Sequence, residues 1–383
     1  MPFATDSTGV CSVFCDADAV VIGHDPGATA LRCYGFTEKR DDKTAAYAGI
    51  PVGELSCVMG DSKTLIDNYI NIISRYDKSI IVFAGTPVST LLNFDLKGLA
   101  RQLEEKTGKT VLAFSTTGNR YYDKGMADVF SAILGRFAAT NASAVCESIY
   151  HEGCIKNAVD TAPGVNLLGL NTLDIPWKRA PELIKAKISE AGYNVLSVWG
   201  MESDIKNWEK SASGALNVVC SASAYRAAER MKQTYGIPYV MLYDLIFDDE
   251  SISENKFSSE ISVLIIGEQV YANGLRKALK KMGASNVDAA GFFDMNKSYM
   301  EKNDVSLRAE DDLERLIAER EYNLIVGDPL FSFFISKDSD CVLFPVKHPP
   351  VSGNFSRKMR SFDPYDKEFF KELCLVSHSI SME

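Results

Sequence analysis

Apolar, β-branched runs alternate with helical patterns along almost the whole chain, and that alternation constrains its fold more than any other feature. A strand paired in parallel needs a crossover of a dozen or more residues, and a helix supplies one while covering the sheet face. The pattern is therefore that of βαβ construction. A first series contains apolar runs at Ala19–Gly23, Ser79–Gly85 and Thr110–Ser115, with helices over Leu96–Thr107 and from Gly125 to Thr140. A second follows the Pro163-Gly164 break, with strands at Val165–Leu170, Tyr193–Trp199, Leu216–Cys220 and Pro238–Tyr243 and helices starting near Pro181, Glu202 and Ala222. After the polar stretch Asp248–Ser259, a third has strands at Ser262–Gly267, Asn286–Phe292, Tyr322–Gly327 and Cys341–Pro345. Helices over Tyr271–Met282 and Asp311–Arg320 connect these, and one more is predicted at Lys367–Cys374. A chain of 383 residues exceeds one ordinary core. The series predict three Rossmann-like domains, over residues 1–160, 161–258 and 259–383.

Charge and hydropathy narrow the function classes. A net charge of -10, with no Lys/Arg block, leaves nothing to neutralise many phosphates and excludes general nucleic-acid binding. No segment reaches the roughly 18 apolar residues of a membrane span, and the first residues lack the pattern of a secretory leader, so a cytoplasmic protein is expected. In that compartment nine cysteines are reduced thiols or metal ligands rather than disulfides. The P-loop, G-x-G-x-x-G and G-x-S-x-G motifs are absent, which disfavours ATP hydrolysis by this chain, NAD binding of the usual kind and α/β-hydrolase chemistry.

Two groups of residues carry chemistry. Cys11, Cys15, Cys33 and Cys57 crowd the opening of the first domain around a His24-Asp25-Pro26-Gly27 turn, where thiolates on loops can hold an iron–sulfur cluster. The plain alternative is buried thiols. Cys220 ends a central strand, and His348 follows the last strand of the third series. Both are places where ligands gather in open α/β sheets, and both also suit residues with a structural role only.

Several segments, in order, resemble one family. Leu216-Asn217-Val218-Val219-Cys220, followed by a helix and Tyr235-Gly236-Ile237-Pro238, resembles the "LNLV-x-C … YGIP" unit of nitrogenase component 1-type oxidoreductases. Val165–Gly169 resembles their "VNIIG" strand, Cys57–Leu65 their "V-x-GG-x-x-KL" segment, and Leu343–Val346 their "GFPI" strand. The family includes subunits of the nitrogenase molybdenum–iron protein, cofactor-assembly scaffold subunits and dark-operative protochlorophyllide reductase subunits. The resemblance implies an α/β fold of three Rossmann-like domains, with mainly parallel sheets around a central cleft. It further implies a 4Fe–4S cluster at a subunit interface, held here by Cys11, Cys15, Cys33 and Cys57, and a larger metallocofactor or tetrapyrrole contacted by Cys220 and His348. The partners it implies are an ATP-dependent iron–sulfur reductase of the nitrogenase iron protein kind and a homologous subunit in a homo- or heterodimer or tetramer.

The departures matter as much. The family's cysteine after the "HGP-x-G" turn is replaced by Ala28-Thr29, and its next ligand position is occupied by Thr86-Pro87. The resemblance thus allows three functions: an oxidoreductase subunit fed by the reductase, a non-catalytic carrier or scaffold for a metallocofactor or tetrapyrrole, and a partner subunit whose sister chain supplies the missing ligands.

Overall fold

The computed structural model describes residues 3–25, 46–51, 62–138, 162–177, 179–246, 255–353 and 359–382. Thirteen strands form three wholly parallel sheets among these residues. β1 (Ala19–Asp25), β2 (Ala46–Pro51), β3 (Ile80–Ala84) and β4 (Thr110–Phe114) form the first, in the order β2-β1-β3-β4. β5 (Gly164–Leu170), β6 (Asn194–Gly200), β7 (Leu216–Val219) and β8 (Tyr239–Met241) form the second, ordered β6-β5-β7-β8. β9 (Ser262–Ile266), β10 (Asn286–Gly291), β11 (Val305–Ser306), β12 (Leu324–Gly327) and β13 (Val342–Pro345) form the third, ordered β11-β10-β9-β12-β13. In each sheet the strand order reverses beside its first strand, which creates a crevice at the carboxyl ends of β1/β3, β5/β7 and β9/β12.

The sheets are buried on both faces, which is why their strands are continuous apolar runs rather than alternating ones. In the first sheet, Val20, Ile22, Ile81 and Phe83 pack on the helices Ser62–Ile73 and Leu96–Thr107. Val21, Ile80 and Val82 face the other way, into the core that continues through the second and third sheets. The second sheet adds a polar row across three strands. Asn166 donates to Asn217 Oδ1 at 2.8 Å and accepts from Ser197 Oγ at 2.7 Å, so no member of the row is left unsatisfied by burial.

The helix Asp6–Val13 was not visible in the hydropathy pattern, because every one of its residues is buried and it has no polar face. Cys11 therefore lies in a helix and Cys15 in the turn after it, not on the exposed opening loops that the sequence suggested. The helix crosses Tyr122–Ile133 at glycines on both sides. A Cβ on Gly9 would meet the Tyr122 carbonyl oxygen at 1.9 Å, and one on Gly125 would meet that of Asp6 at 1.9 Å. Asp6 fixes the crossing. Its buried carboxylate accepts from the backbone of Thr117 and Gly118 at 3.0 Å each and from Arg120 Nε at 3.1 Å. Just upstream, Ala4 donates to Pro350 O at 2.7 Å, which ties this segment to the chain that follows β13 of the third sheet.

Three boundaries differ from the reading of the sequence. The helix expected from Gly125 begins at Tyr122 and passes into a π-helical turn at Leu134–Ala138, and the last helix runs on to Met382. Strand β8 stops at Met241, where a short helix Leu242–Ile246 takes over. No helix among the described residues is long and apolar enough to cross a membrane.

The helix crossing leads to one expectation. Gly125→Ala should destabilise the protein by about 1–3 kcal/mol in urea unfolding, because a backbone oxygen must move, although Ala is the better helix former. An unchanged midpoint would show that the two helices are not in this contact.

Candidate functional site at the junction of the three sheets

The carboxyl ends of the strands deliver ionisable side chains to one buried place. Asp174 follows β5, Cys220 and Ser221 follow β7, Glu268 follows β9, Asp328 follows β12 and His348 follows β13. The helix Tyr122–Ile133, after the last strand of the first sheet, adds Tyr122 from its start. The crevices of the second and third sheets thus meet the helix that closes the first.

Asp174 is the centre of the group. Its Oδ1 accepts from Tyr122 Oη and lies 3.2 Å from His348 Nε2. Its Oδ2 accepts from Ser221 Oγ at 2.7 Å and from Asn171 Nδ2 at 3.0 Å. Asn171 Oδ1 in turn accepts from the backbone of Leu173 and Asp174, both at 2.9 Å, so the turn that presents the carboxylate is braced by its own first residue. Burial pushes the Asp174 carboxyl upward, but bonds from His348, Tyr122 and Ser221 outweigh it and hold the group below the usual range.

Glu268 goes the opposite way. It caps the helix Gln269–Lys281, accepting from Tyr271 N at 2.9 Å, and reaches across to the segment after β7 to accept from Ala222 N at 2.6 Å. Burial and the facing Asp174 charge raise it to about 8, against the pull of those backbone donors. Near neutral pH the pair therefore keeps one negative charge on Asp174 and a proton on Glu268. Two acids pushed apart in this way are suited to separate acid and base roles.

Cys220 and His348, expected from the sequence as cofactor contacts, both lie in this group. The Cys220 thiol is buried, and burial beside Glu268 pushes it up, so it remains protonated. His348 is gripped by ring contacts with Phe293 (5.4 Å) and Tyr122 (6.2 Å), and its backbone N–H donates to Asp328 Oδ2 at 2.9 Å. Asp123 is another member, raised to about 6 by burial, its Oδ2 accepting from Asp294 N at 2.9 Å. A cleft of about 310 Å3 between the segments that follow the second and third sheets lies beside Glu268, lined by its bonded partner Ala222 and its chain neighbour Gln269, with Tyr225 and Asn296.

A family model described as nitrogenase component 1 type oxidoreductase matches residues 18–247, more than half of the chain. The chain belongs to that family. Nitrogenase iron-molybdenum cofactor biosynthesis protein NifE of Nostoc sp. (strain PCC 7120 / SAG 25.82 / UTEX 2576) is 23% identical over 236 residues, 58% of this chain and 44% of that protein. The alignment thus spans less than half the length of this curated relative. The fold is similar to nitrogenase Cp1 at pH 5, with a TM-score of 0.68 and 14% identity over 99% of this chain and 88% of that one. Nitrogenase Cp1 at pH 6.5 gives 0.64 and 14% over 99% and 89%.

The component 1 fold makes the remaining expected residues specific. Cys11 is buried in the core shared by the three sheets and Cys15 is buried as well, whereas a cluster shared between subunits needs thiolates at a surface. Cys33 and Cys57 lie outside the described residues. At Thr86-Pro87, where the resemblance led us to expect a lost ligand, Thr86 caps the helix Pro87–Leu91. Its hydroxyl accepts from Ser89 N at 3.3 Å, while Ser89 Oγ donates back to Thr86 O at 2.9 Å. Among the described residues no group of three or more His, Cys, Asp or Glu could hold a metal ion. These residues alone do not fit a cluster. At the junction the Cys220 thiol is buried beside Glu268 and protonated, and no chemical step is routed through a metal group there.

Sequence reasoning missed Asp174, Glu268 and Tyr122. Each follows a strand end or opens a helix, but no motif marks it. The available signal was acidic residues just beyond apolar strands, at Leu170-Asn171-Thr172-Leu173-Asp174 and Gly267-Glu268.

The Glu268 carboxyl couples stability to pH. It is raised from about 4.5 to about 8, so between those values the folded protein holds a proton that the unfolded chain releases, and stability falls as pH rises. Thermal unfolding followed from pH 5 to 8 should show a declining Tm, and Glu268→Gln should flatten that decline. A slope identical in the variant would assign the proton elsewhere, with Asp123 the next group to test.

Proposed function

We propose that the chain is a subunit of a nitrogenase-like oxidoreductase, that its three-sheet junction is the substrate or cofactor side of the complex, and that an ATP-dependent iron–sulfur reductase supplies the electrons. One observation carries this reading. The crevices at the switch points of the second and third sheets hold buried, perturbed titratable groups, which the helix Tyr122–Ile133 meets with Tyr122, and such clusters are characteristic of reaction sites. Reduction of a multiple bond consumes protons as well as electrons. Glu268, protonated near neutral pH, and Tyr122, whose hydroxyl burial keeps protonated, are groups that could hold protons there.

The satisfied Thr86 cap and the buried Cys11 and Cys15 favour a heteromer, in which a homologous, cysteine-bearing subunit supplies the electron-accepting ligands. Anaerobic purification of the chain alone and with such a subunit, followed by iron and sulfide analysis, tests this. The expected outcome is little iron on the isolated chain and an iron-bearing complex that turns over with the reductase. Glu268→Gln in that complex should reduce turnover about 10²-fold or more, the usual contribution of a general acid. Iron bound by the isolated chain and lost in Cys11→Ser and Cys15→Ser would instead assign the cluster to this subunit.

A second reading is favoured by the relationship to a cofactor-biosynthesis protein. In it the junction carries a metallocofactor or tetrapyrrole without reducing it. Tight binding of such a molecule, with no turnover in the presence of the reductase, would select the carrier.

A further inference from the structure

The hydrogen bonds at Asp174 fix the position of a proton on His348. Oδ1 is shared by Tyr122 Oη and His348 Nε2, and Oδ2 by Ser221 Oγ and Asn171 Nδ2. An ionised carboxylate only accepts, so all four partners donate. For His348 this places a hydrogen on Nε2, and in the neutral ring Nδ1 is then a bare lone pair. Nδ1 is buried and has no hydrogen-bond partner among the described residues. Turning the ring over would place carbon against Asp174 and break the bond. The contacts with Phe293 and Tyr122, and the anchoring of the His348 backbone to Asp328, oppose such a turn.

We propose that Asp174 is a positioning residue of the junction: it locks His348 in the Nε2-protonated tautomer, so that Nδ1 is the acceptor atom offered to a bound ligand carrying an N–H or O–H donor. The ligand-side role rests on the junction being the site, whereas the tautomer does not. Burial leaves Nδ1 costly to keep without a donor, and no group among the described residues answers it, so a ligand or an ordered water is the partner that the geometry calls for. Asp328 supports the same ring from behind by accepting from the backbone of His348 and from Ser352 Oγ at 2.7 Å.

Nitrogen-15 spectra of the full chain labelled at histidine test this directly. The chain has four histidines, and the signal lost in His348→Gln makes the assignment. Wild-type protein at neutral pH should show a protonated Nε2 and an unprotonated Nδ1. Asp174→Asn should mix or reverse the tautomers while circular dichroism stays unchanged, and Asp174→Glu should restore part of the wild-type pattern. In the reconstituted complex Asp174→Asn should lower turnover about 10-fold or more and move its pH profile. A wild-type ring protonated at Nδ1 would overturn the proposal even if no Asp174 variant folds, as would an Asp174→Asn spectrum identical to wild type. The expected spectra combined with unchanged turnover would leave the tautomer lock standing and defeat the junction as the reaction site.

Discussion

One buried carboxylate joins the three parts of this molecule. Asp174 follows a strand of the second sheet, yet its oxygens take hydrogen bonds from Tyr122, on a helix beside the first, and His348, beyond the last strand of the third. An isolated charge in such a place would cost several kcal/mol, and here donors from three directions offset that cost. The consequence is cooperative. Removing any one of these donors from the junction would leave a buried anion short of partners, so the arrangement of the three sheets and the ionisation of the site depend on each other.

Glu268 and Asp6 repeat the device in milder form. Glu268 bonds the helical turn that follows β7 to its own helix after β9, and Asp6 collects the backbone of the Thr117–Arg120 loop beneath the N-terminal helix. In each case a short acidic side chain replaces a water shell with backbone N–H groups from elements distant in sequence. The functional property follows from the same geometry. Asp174 and Glu268 are near enough that one charge suppresses the other, which leaves an anion beside a protonated acid.

Much of the fold was legible in the chain before any coordinates. Val165–Leu170, Leu216–Val219 and Ser262–Ile266 are runs buried on both faces, and period and length suffice to recognise such strands. β2 was missed because Ala46-Tyr47-Ala48-Gly49-Ile50-Pro51 has little apolar signal, and β11 because two residues carry no period. Cys220 and His348 could be picked out as strand-end residues. Their meeting with Asp174, Glu268 and Tyr122 could not, because those groups are up to 226 positions apart, from Tyr122 to His348.

What the amino-acid sequence determined by itself is the βα repetition, the family and the strand ends at which chemistry could occur, since these follow from local pattern and order. What the tertiary structure alone decided is which of those ends converge and in what protonation state. Burial of Cys11 within a helix takes it away from a subunit surface, and burial of Glu268 opposite Asp174 turns an ordinary carboxylate into an acid that titrates near 8. Dielectric surroundings and distances between charges belong to the packed molecule, and no stretch of chain contains them.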